Sequence, residues 1–198
     1  MAEVSFLDTN AYWLLLLGRS PAASDACQLL RARLSQQTWV EGVISELTAL
    51  EIHSVIGKLS RGKSGGIHRC DRKIDQEGNA SSCPFHWVQP KEKGLRKAEI
   101  ERVRKAIRDA EKGVGPIRMT VVPLSATDFD LGREYLYRHA EEYTFGSHDA
   151  VIAAAAKRYI GGAVRLITSD RGLKSLLRSI AQPYYDPLSK DEWDPPVL

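Results

Sequence analysis

The sequence predicts an α/β fold built on a parallel sheet, and three observations carry that prediction. The first is the opening segment Val4-Ser5-Phe6-Leu7-Asp8-Thr9-Asn10, which reads as a short buried strand, an acid at its end and a helix cap directly after it. The second is repetition: Trp39 to Ile44, Met119 to Val122 and Val164 to Thr168 are further strand-like runs, each followed by a helix start. The third is where acids fall: Asp8 after the first strand, Asp170 after the last, and Asp149 in the first turn of a helix. An unpaired carboxylate is costly in a core. In open α/β sheets ligands bind beyond the carboxyl ends of the strands, so these acids belong to one candidate edge.

At 198 residues the chain suits one domain, 1–198, with an elaboration. A hydrophobic content of 43% and a charged content of 27% exclude wholesale disorder. The longest apolar run, Ala11 to Leu17, is far too short to span a bilayer and no basic segment precedes it, so a cytoplasmic protein with no membrane partner is expected. Three cysteines, Cys27, Cys70 and Cys83, argue against a disulfide framework in such a compartment. The net charge of +3 hides a segregation: Lys58 to Arg118 carries 16 of the 28 basic residues and 8 of the 25 acids. That basic stripe beside an acidic body is the footprint of a nucleic-acid partner, although a merely solvated helix face has the same composition.

In chain order, Thr9 or Asn10 caps a helix through Ala11 to Leu17, and Gly18 stops it. Ser20 and Pro21 start a second helix with Ala26, Leu29, Leu30 and Leu34 at helical spacing and Cys27 as a small buried thiol. After the Trp39 strand, Ser45 caps a helix from Glu46 to about Ser60, with Leu47, Leu50, Val55 and Leu59 on one face and Ile52 and Ile56 beside it. Glu46 favours the helix dipole, whereas Glu51 flanks the apolar stripe and is the stronger site candidate.

Periodicity lapses from Arg61 to about Gln89, which predicts a long loop within an insertion at about 60–95. His68, Cys70, Cys83 and His86 there could make a tetrahedral zinc site. The first pair is two positions apart rather than the usual three to five, and the expectation is a loop without zinc. From Glu92 to Lys112 a basic helix is predicted with Leu95, Ala98, Ile100, Val103, Ile107 and Ala110 as its stripe. Arg96, Lys97, Arg102, Arg104 and Lys105 around it are candidate phosphate contacts. A helix follows Ser125 and Asp128 to about His139, and Gly146-Ser147 opens the alanine-rich helix that carries Asp149. A short helix near Leu173 to Leu177 follows Asp170, and the proline-rich tail from Gln182 is expected to be extended.

Taken together, Asp8, Glu51, Asp149 and Asp170 form a candidate cluster. Four carboxylates in one cleft repel unless divalent cations neutralise them, and hard oxygen ligands suit Mg²⁺ or Mn²⁺. Such an ion can lower the pKa of a bound water and so supply a nucleophile for a phosphodiester. No Ser-His-Asp order, Walker A loop or G-x-G-x-x-G turn competes, and Asn10 stands where a D-x-D-x-T phosphatase needs its second acid.

These residues also resemble a family. Phe6-Leu7-Asp8-Thr9-Asn10, Ile44-Ser45 through Glu51, Ser147-His148-Asp149-Ala150 and Leu166-Ile167-Thr168-Ser169-Asp170-Arg171 look like the four acidic motifs of PIN-domain proteins, in order, over roughly residues 1–60 and 95–180. The resemblance implies a three-layer α/β/α sandwich with a central parallel sheet. It also implies Mg²⁺- or Mn²⁺-dependent endoribonuclease activity like that of VapC-type toxins, with RNA as substrate, and a cognate antitoxin and a homodimer surface as partners. Asp8, Glu51, Asp149 and Asp170 would be the metal-binding acids, with Thr9, Asn10, Thr168 or Ser169 hydrogen-bonding around them. The basic insertion has no counterpart in compact members of that family. An RNA-processing or quality-control nuclease, and a PIN-like module that holds RNA or protein without cutting, are the alternative functions.

Overall fold

The computed structural model describes residues 3–17, 21–36, 39–62, 66–69, 73–76, 79–82, 86–89, 93–159 and 163–196. β1 (Glu3–Leu7) buries Phe6 and Leu7 completely and lies inside a seven-stranded sheet. On one side it pairs in parallel with β9 (Ala163–Ile167) along its whole length, from Glu3↔Ala163 to Leu7↔Ile167. On the other it meets β3 (Trp39–Ser45) at Phe6↔Val43, and β3 pairs in parallel with β8 (Ile117–Val122). The short β2 (Ser35–Gln36) lies antiparallel on β3. The chain therefore builds β3 and β8 on one flank of β1 before crossing to β9 on the other. That reversal between β1 and β9 is a topological switch point, where crevices open beyond the carboxyl ends of strands.

The helices form the outer layers of the α/β/α sandwich. α1 (Thr9–Leu17) and α2 (Pro21–Leu34) follow β1, α3 (Glu46–Arg61) follows β3, and α5 (Ala126–His139), α6 (Ser147–Arg158) and α7 (Arg171–Ser179) complete the set around the later strands. Every residue from Ala150 to Ala156 in α6 is buried, and all but Val151 belong to one cluster with Phe6, Leu166, Leu173, Leu176 and Tyr184. Small side chains let α6 approach its neighbours closely, and Gly132 of α5 lies so near Val151 that an added methyl would stand 3.1 Å from its Cγ2. Arg158 clamps the same pair of helices with two 2.7 Å bonds to the fully buried Asp128, which also caps α5 through the Ser125 N–H and hydroxyl.

The chain divides into two units, Met1–His53 with Arg102–Leu198, and Ser54–Glu101. In the second, the expected long loop is replaced by paired strands. β4 (Gly66–Arg69) runs antiparallel to β7 (His86–Gln89), and β5 (Lys73–Gln76) to β6 (Asn79–Ser82) in the same register. Backbone pairing needs no apolar alternation, which is why this polar stretch carries no strand signal. Cys70 and Cys83 lie outside the described residues, as do the side chains of His68 and His86, so the zinc question falls there too.

α4 (Lys97–Glu111) starts five residues later than its periodicity predicts. Gly94 packs so tightly that a Cβ would stand 2.0 Å from the Ser60 carbonyl oxygen, the Leu95 N–H bonds to the Leu59 carbonyl, and Glu99 reaches back to cap the Arg96 N–H at 3.0 Å. Val103, Ile107 and Ala110 are buried as predicted, whereas Ala98 is exposed.

Two further expectations are corrected. α3 turns Thr48, Ile52 and Ile56 inward and leaves Leu50 69% exposed, because the Ser45 hydroxyl caps the Thr48 N–H and fixes the rotation of the helix. The tail is not a loose end: β10 (Tyr184–Asp186) adds to β9 in parallel and β11 (Asp191–Trp193) returns antiparallel, with Tyr184 and Tyr185 buried. Among the described residues no helix is long and apolar enough to cross a membrane.

Candidate active site

Asp8 leaves the sheet at the switch point. The β1–β9 register sets Leu7 beside Ile167, so the next residue along each strand, Asp8 and Thr168, meet at the carboxyl edge. Both are buried, at 4% and 0% exposure. The Thr168 hydroxyl donates to Asp8 Oδ2 at 2.6 Å, and the Ala11 N–H donates to Oδ1 at 2.7 Å, which makes Asp8 the cap of α1. Burial pushes the Asp8 carboxyl up to about 7; those two hydrogen bonds oppose the rise, and the charges of Asp149 and Asp170 add to it.

Thr168 also accepts the Asp170 N–H at 3.1 Å, so one hydroxyl joins two of the acids. Asp170 caps α7 by accepting the Leu173 N–H at 2.8 Å. Asp149, in the first turn of α6, accepts the Gly146 N–H at 2.8 Å. Burial raises its carboxyl too; the Gly146 N–H and His148 work against the rise, while Asp170 and Glu51 reinforce it. Glu51 comes from α3: its Oε2 accepts the Thr9 hydroxyl at 2.5 Å, and its Oε1 lies 3.5 Å from Nδ1 of the largely exposed His148.

The four acids are thus carried on four elements and brought to one edge. Their charges reach one another, since Asp8 feels Asp149 and Asp170, and Asp149 feels Asp170 and Glu51. Even so, no group of three or more His, Cys, Asp or Glu side chains among the described residues stands in an arrangement that would hold a metal ion. The difference is one of range: repulsion acts over several ångströms, whereas Mg²⁺–oxygen ligation needs about 2 Å. By its chemistry the donor set fits a hard cation, being all carboxylate oxygen, and the caps of Asp149 and Asp170 each use one oxygen of the pair.

The predicted supporting residues divide. Thr9 and Thr168 touch the acids, Asn10 is exposed on α1, and Ser169 turns away to donate to Asp186 Oδ1 at 2.6 Å. Asp186 is a fifth acid at this edge that sequence reasoning missed. It is 2% exposed, also takes the Lys174 ammonium and the Ser189 hydroxyl, and those donors hold its carboxyl far below the usual range against the cost of burial. Only β10 puts it there, and an Asp between two tyrosines and a proline gives no site signal. His148 was within the quoted motif and could have been found from its place beside Asp149. Of the predicted phosphate contacts, Arg96, Lys97, Arg102, Arg104 and Lys105 are all exposed, with Lys105 paired to Asp109.

Solved structures share this fold over nearly the whole chain. FitAcB from Neisseria gonorrhoeae aligns with 93% of this chain and 98% of its own, at a TM-score of 0.51 and 14% identity. VapC20 from Mycobacterium tuberculosis, a toxin that cleaves the sarcin-ricin loop, aligns with 86% of this chain and 93% of its own, at a TM-score of 0.50 and 15% identity. VapBC2 from Rickettsia felis, bound to a DNA fragment from their promoter, aligns at 0.46 and 13% identity over 87% of this chain and 92% of its own. No family model and no curated protein matches the sequence. At such identities the likeness is one of fold.

Proposed function

We propose that this protein is a Mg²⁺- or Mn²⁺-dependent endoribonuclease of VapC-like type, a hydrolase of RNA phosphodiester bonds held in check by an antitoxin protein. The observation that supports it most is the gathering of Asp8, Glu51, Asp149 and Asp170 at the switch-point edge, where burial and the neighbouring acids raise the carboxyls of Asp8 and Asp149. A fold carrying that much unrelieved negative charge at one place is unfavourable unless a cation is to be met there. Asp8 and Asp149 would be the central ligands, with Glu51 and Asp170 completing the set. The ion supplies an acidified water and charge neutralisation at the scissile phosphate. The chain's own part is positioning: Thr168 holds Asp8 and Asp170 to one another, and Thr9 holds Glu51 to the start of α1.

The test is calorimetric titration of chelator-treated protein with Mn²⁺, paired with cleavage of a labelled RNA. We expect one or two Mn²⁺ bound per chain, and cleavage that EDTA stops and Mn²⁺ or Mg²⁺ restores. Cleavage that survives exhaustive chelation sinks the reading, and RNA binding without any cleavage transfers the protein to the class of non-cutting PIN-like modules. Growth arrest on expression, relieved by a neighbouring small gene, separates a toxin from a processing nuclease.

The basic residues of the 92–112 segment are assigned to the phosphate backbone of the substrate. Replacing Arg96, Arg102 and Lys105 by Gln should flatten the log–log salt dependence of RNA affinity by about 2 units, at somewhat under one unit per lost contact. KM should rise at moderate salt while the preferred cleavage site stays unchanged, because such contacts position without reading sequence. An unchanged salt slope together with lost inhibition or a smaller eluting species would reassign these residues to the antitoxin or homodimer surface.

A further inference from the structure

Gly172 is the second residue of α7, two positions after Asp170, and its backbone needs no unusual dihedral. What it needs is space. A methyl on its Cα would stand 1.7 Å from the Thr144 carbonyl oxygen and 2.7 Å from the carbonyl carbon, where a comfortable C···O approach is about 3.3 Å. The two backbones are therefore in direct apposition, with no side chain between them. On one side of the contact is the β9–α7 turn carrying Asp170. On the other is the segment Thr144–Gly146, whose Gly146 N–H caps Asp149.

Which side would yield to an added side chain follows from how each is tied. The β9–α7 turn is anchored three times: Thr168 donates to Asp8, Ser169 donates to the buried Asp186, and Lys174 one turn along α7 pairs with the same Asp186. α6 is likewise immobile, because its Ala150–Ala156 run is buried throughout. Between α5 and α6, Thr144 and Gly146 are exposed and only Phe145 packs against the core, so this segment is the less firmly tied of the two.

We infer that Gly172 is a positioning residue: its missing side chain lets Thr144–Gly146 lie against the Asp170-bearing turn and so keeps the Gly146 N–H on the Asp149 carboxylate, with Asp186 as the fixed anchor behind it. The inference rests on the nuclease reading of the acid cluster. A side chain at 172 displaces Thr144–Gly146 by more than an ångström and loosens the Gly146 N–H bond to Asp149, so that this carboxylate is no longer held in one orientation.

Gly172→Ala tests it, with Gly57→Ala as control, since a methyl at Gly57 meets nothing closer than Arg61 at 3.7 Å. Three readouts are taken: Mn²⁺ affinity, kcat and KM for RNA cleavage, and amide exchange at Gly146 in the metal-free protein. A carboxylate misplaced by about an ångström once its Gly146 bond is lost predicts Mn²⁺ affinity and kcat each lower by about tenfold to a hundredfold, with KM within about twofold. Gly146 exchange should be faster by at least tenfold and Leu173 exchange unchanged. Gly57→Ala should match wild type in all three. If the alanine chain does not fold, Ser169→Ala releases one tie of the anchor and should weaken Mn²⁺ binding by about threefold. Wild-type protein that neither binds Mn²⁺ nor cuts RNA defeats the nuclease reading itself. Active wild type beside a Gly172→Ala protein of equal Mn²⁺ affinity, or beside a Ser169→Ala protein of equal affinity where the alanine chain fails, overturns the positioning role alone.

Discussion

Asp8→Asn is expected to reduce RNA cleavage by about a thousandfold, the scale of losing one preorganised electrostatic contact to the reacting centre, while stabilising the metal-free protein at neutral pH. Both effects have one source. The fold holds Asp8 in a site where burial pushes its carboxyl from 3.8 to about 7, so ionising it at neutral pH costs on the order of 4 kcal/mol. The amide is neutral and fits the same partners: one atom accepts the Ala11 N–H, and the other donates to a Thr168 hydroxyl turned to accept.

The sign of the pH dependence follows. The native carboxyl binds its proton more tightly than the unfolded one, so between about pH 4 and pH 7 the native state holds protons that the unfolded state has released. Stability contributed by Asp8 is therefore full below about pH 4, falls as pH rises and is lost above about pH 7; Asp149, also raised, acts in the same direction. Thermal melts in chelator from pH 4 to 8 should show wild type losing stability across that window and Asp8→Asn losing clearly less. At neutral pH the variant should melt several degrees higher, at about 2–4 °C per kcal/mol for a chain of this size. Parallel pH profiles for the two proteins would show that Asp8 carries no such penalty, and unimpaired cleavage in Mg²⁺ would remove it from the catalytic set.

Thr168→Val makes the opposite kind of change, since it leaves every acid in place and removes the hydroxyl that manages two of them. Valine matches threonine in shape, so packing is preserved in a position with no exposure. What is lost is a donor to a buried carboxylate and an acceptor for the Asp170 N–H. Charge-assisted bonds contribute about 1.5–3 kcal/mol and an orphaned N–H costs about 1–3 kcal/mol, which sets a loss of about 3 kcal/mol at pH 8. At pH 5 the loss should be smaller, because a protonated Asp8 has less need of the donor. Cleavage should fall by about ten- to a hundredfold, the range seen when a ligand's supporting partner is removed. Urea unfolding at both pH values checks the first expectation, and a double-mutant cycle with Asp8→Ala, which leaves no group to bond the hydroxyl, checks that the two residues act through one bond. A variant as stable and as active as wild type at pH 8 would show that Thr168 is only a space filler.

These two residues illustrate how much of the site is written locally. Asp8, Asp149 and Asp170 each sit at a strand end or helix start, and each caps a helix by accepting a backbone N–H three positions away or, for Asp149, three positions back. Such relations span one turn of chain, so residue type and spacing suffice to expose them. Glu51 was legible for a different reason, as an acid flanking an apolar stripe, even though the stripe itself is rotated: Leu50 faces solvent and Thr48, Ile52 and Ile56 face inward. The strands β1, β3, β8 and β9 were legible because a buried parallel strand must be an apolar run.

What the amino-acid sequence determined by itself was therefore the alternation of strands and helices, the α/β class, the four acids and the segregated basic segment, all properties of spacing and composition within one element. Tertiary structure alone decided the rest. The order β10-β9-β1-β3-β8 along the parallel part of the sheet, which brings Asp8 against Thr168, depends on pairing between strands more than 150 residues apart. The tail becomes β10 because a free edge of β9 offers backbone partners that no local pattern announces, and with it arrives Asp186. The strands of the insertion, β4 with β7 and β5 with β6, form by backbone pairing that no alternation of apolar residues announces. Gly172 reads as an ordinary helix-start glycine until Thr144 is seen against it. In each case the deciding energy is a contact between distant parts of the chain, and a residue's neighbours in sequence carry no record of its neighbours in space.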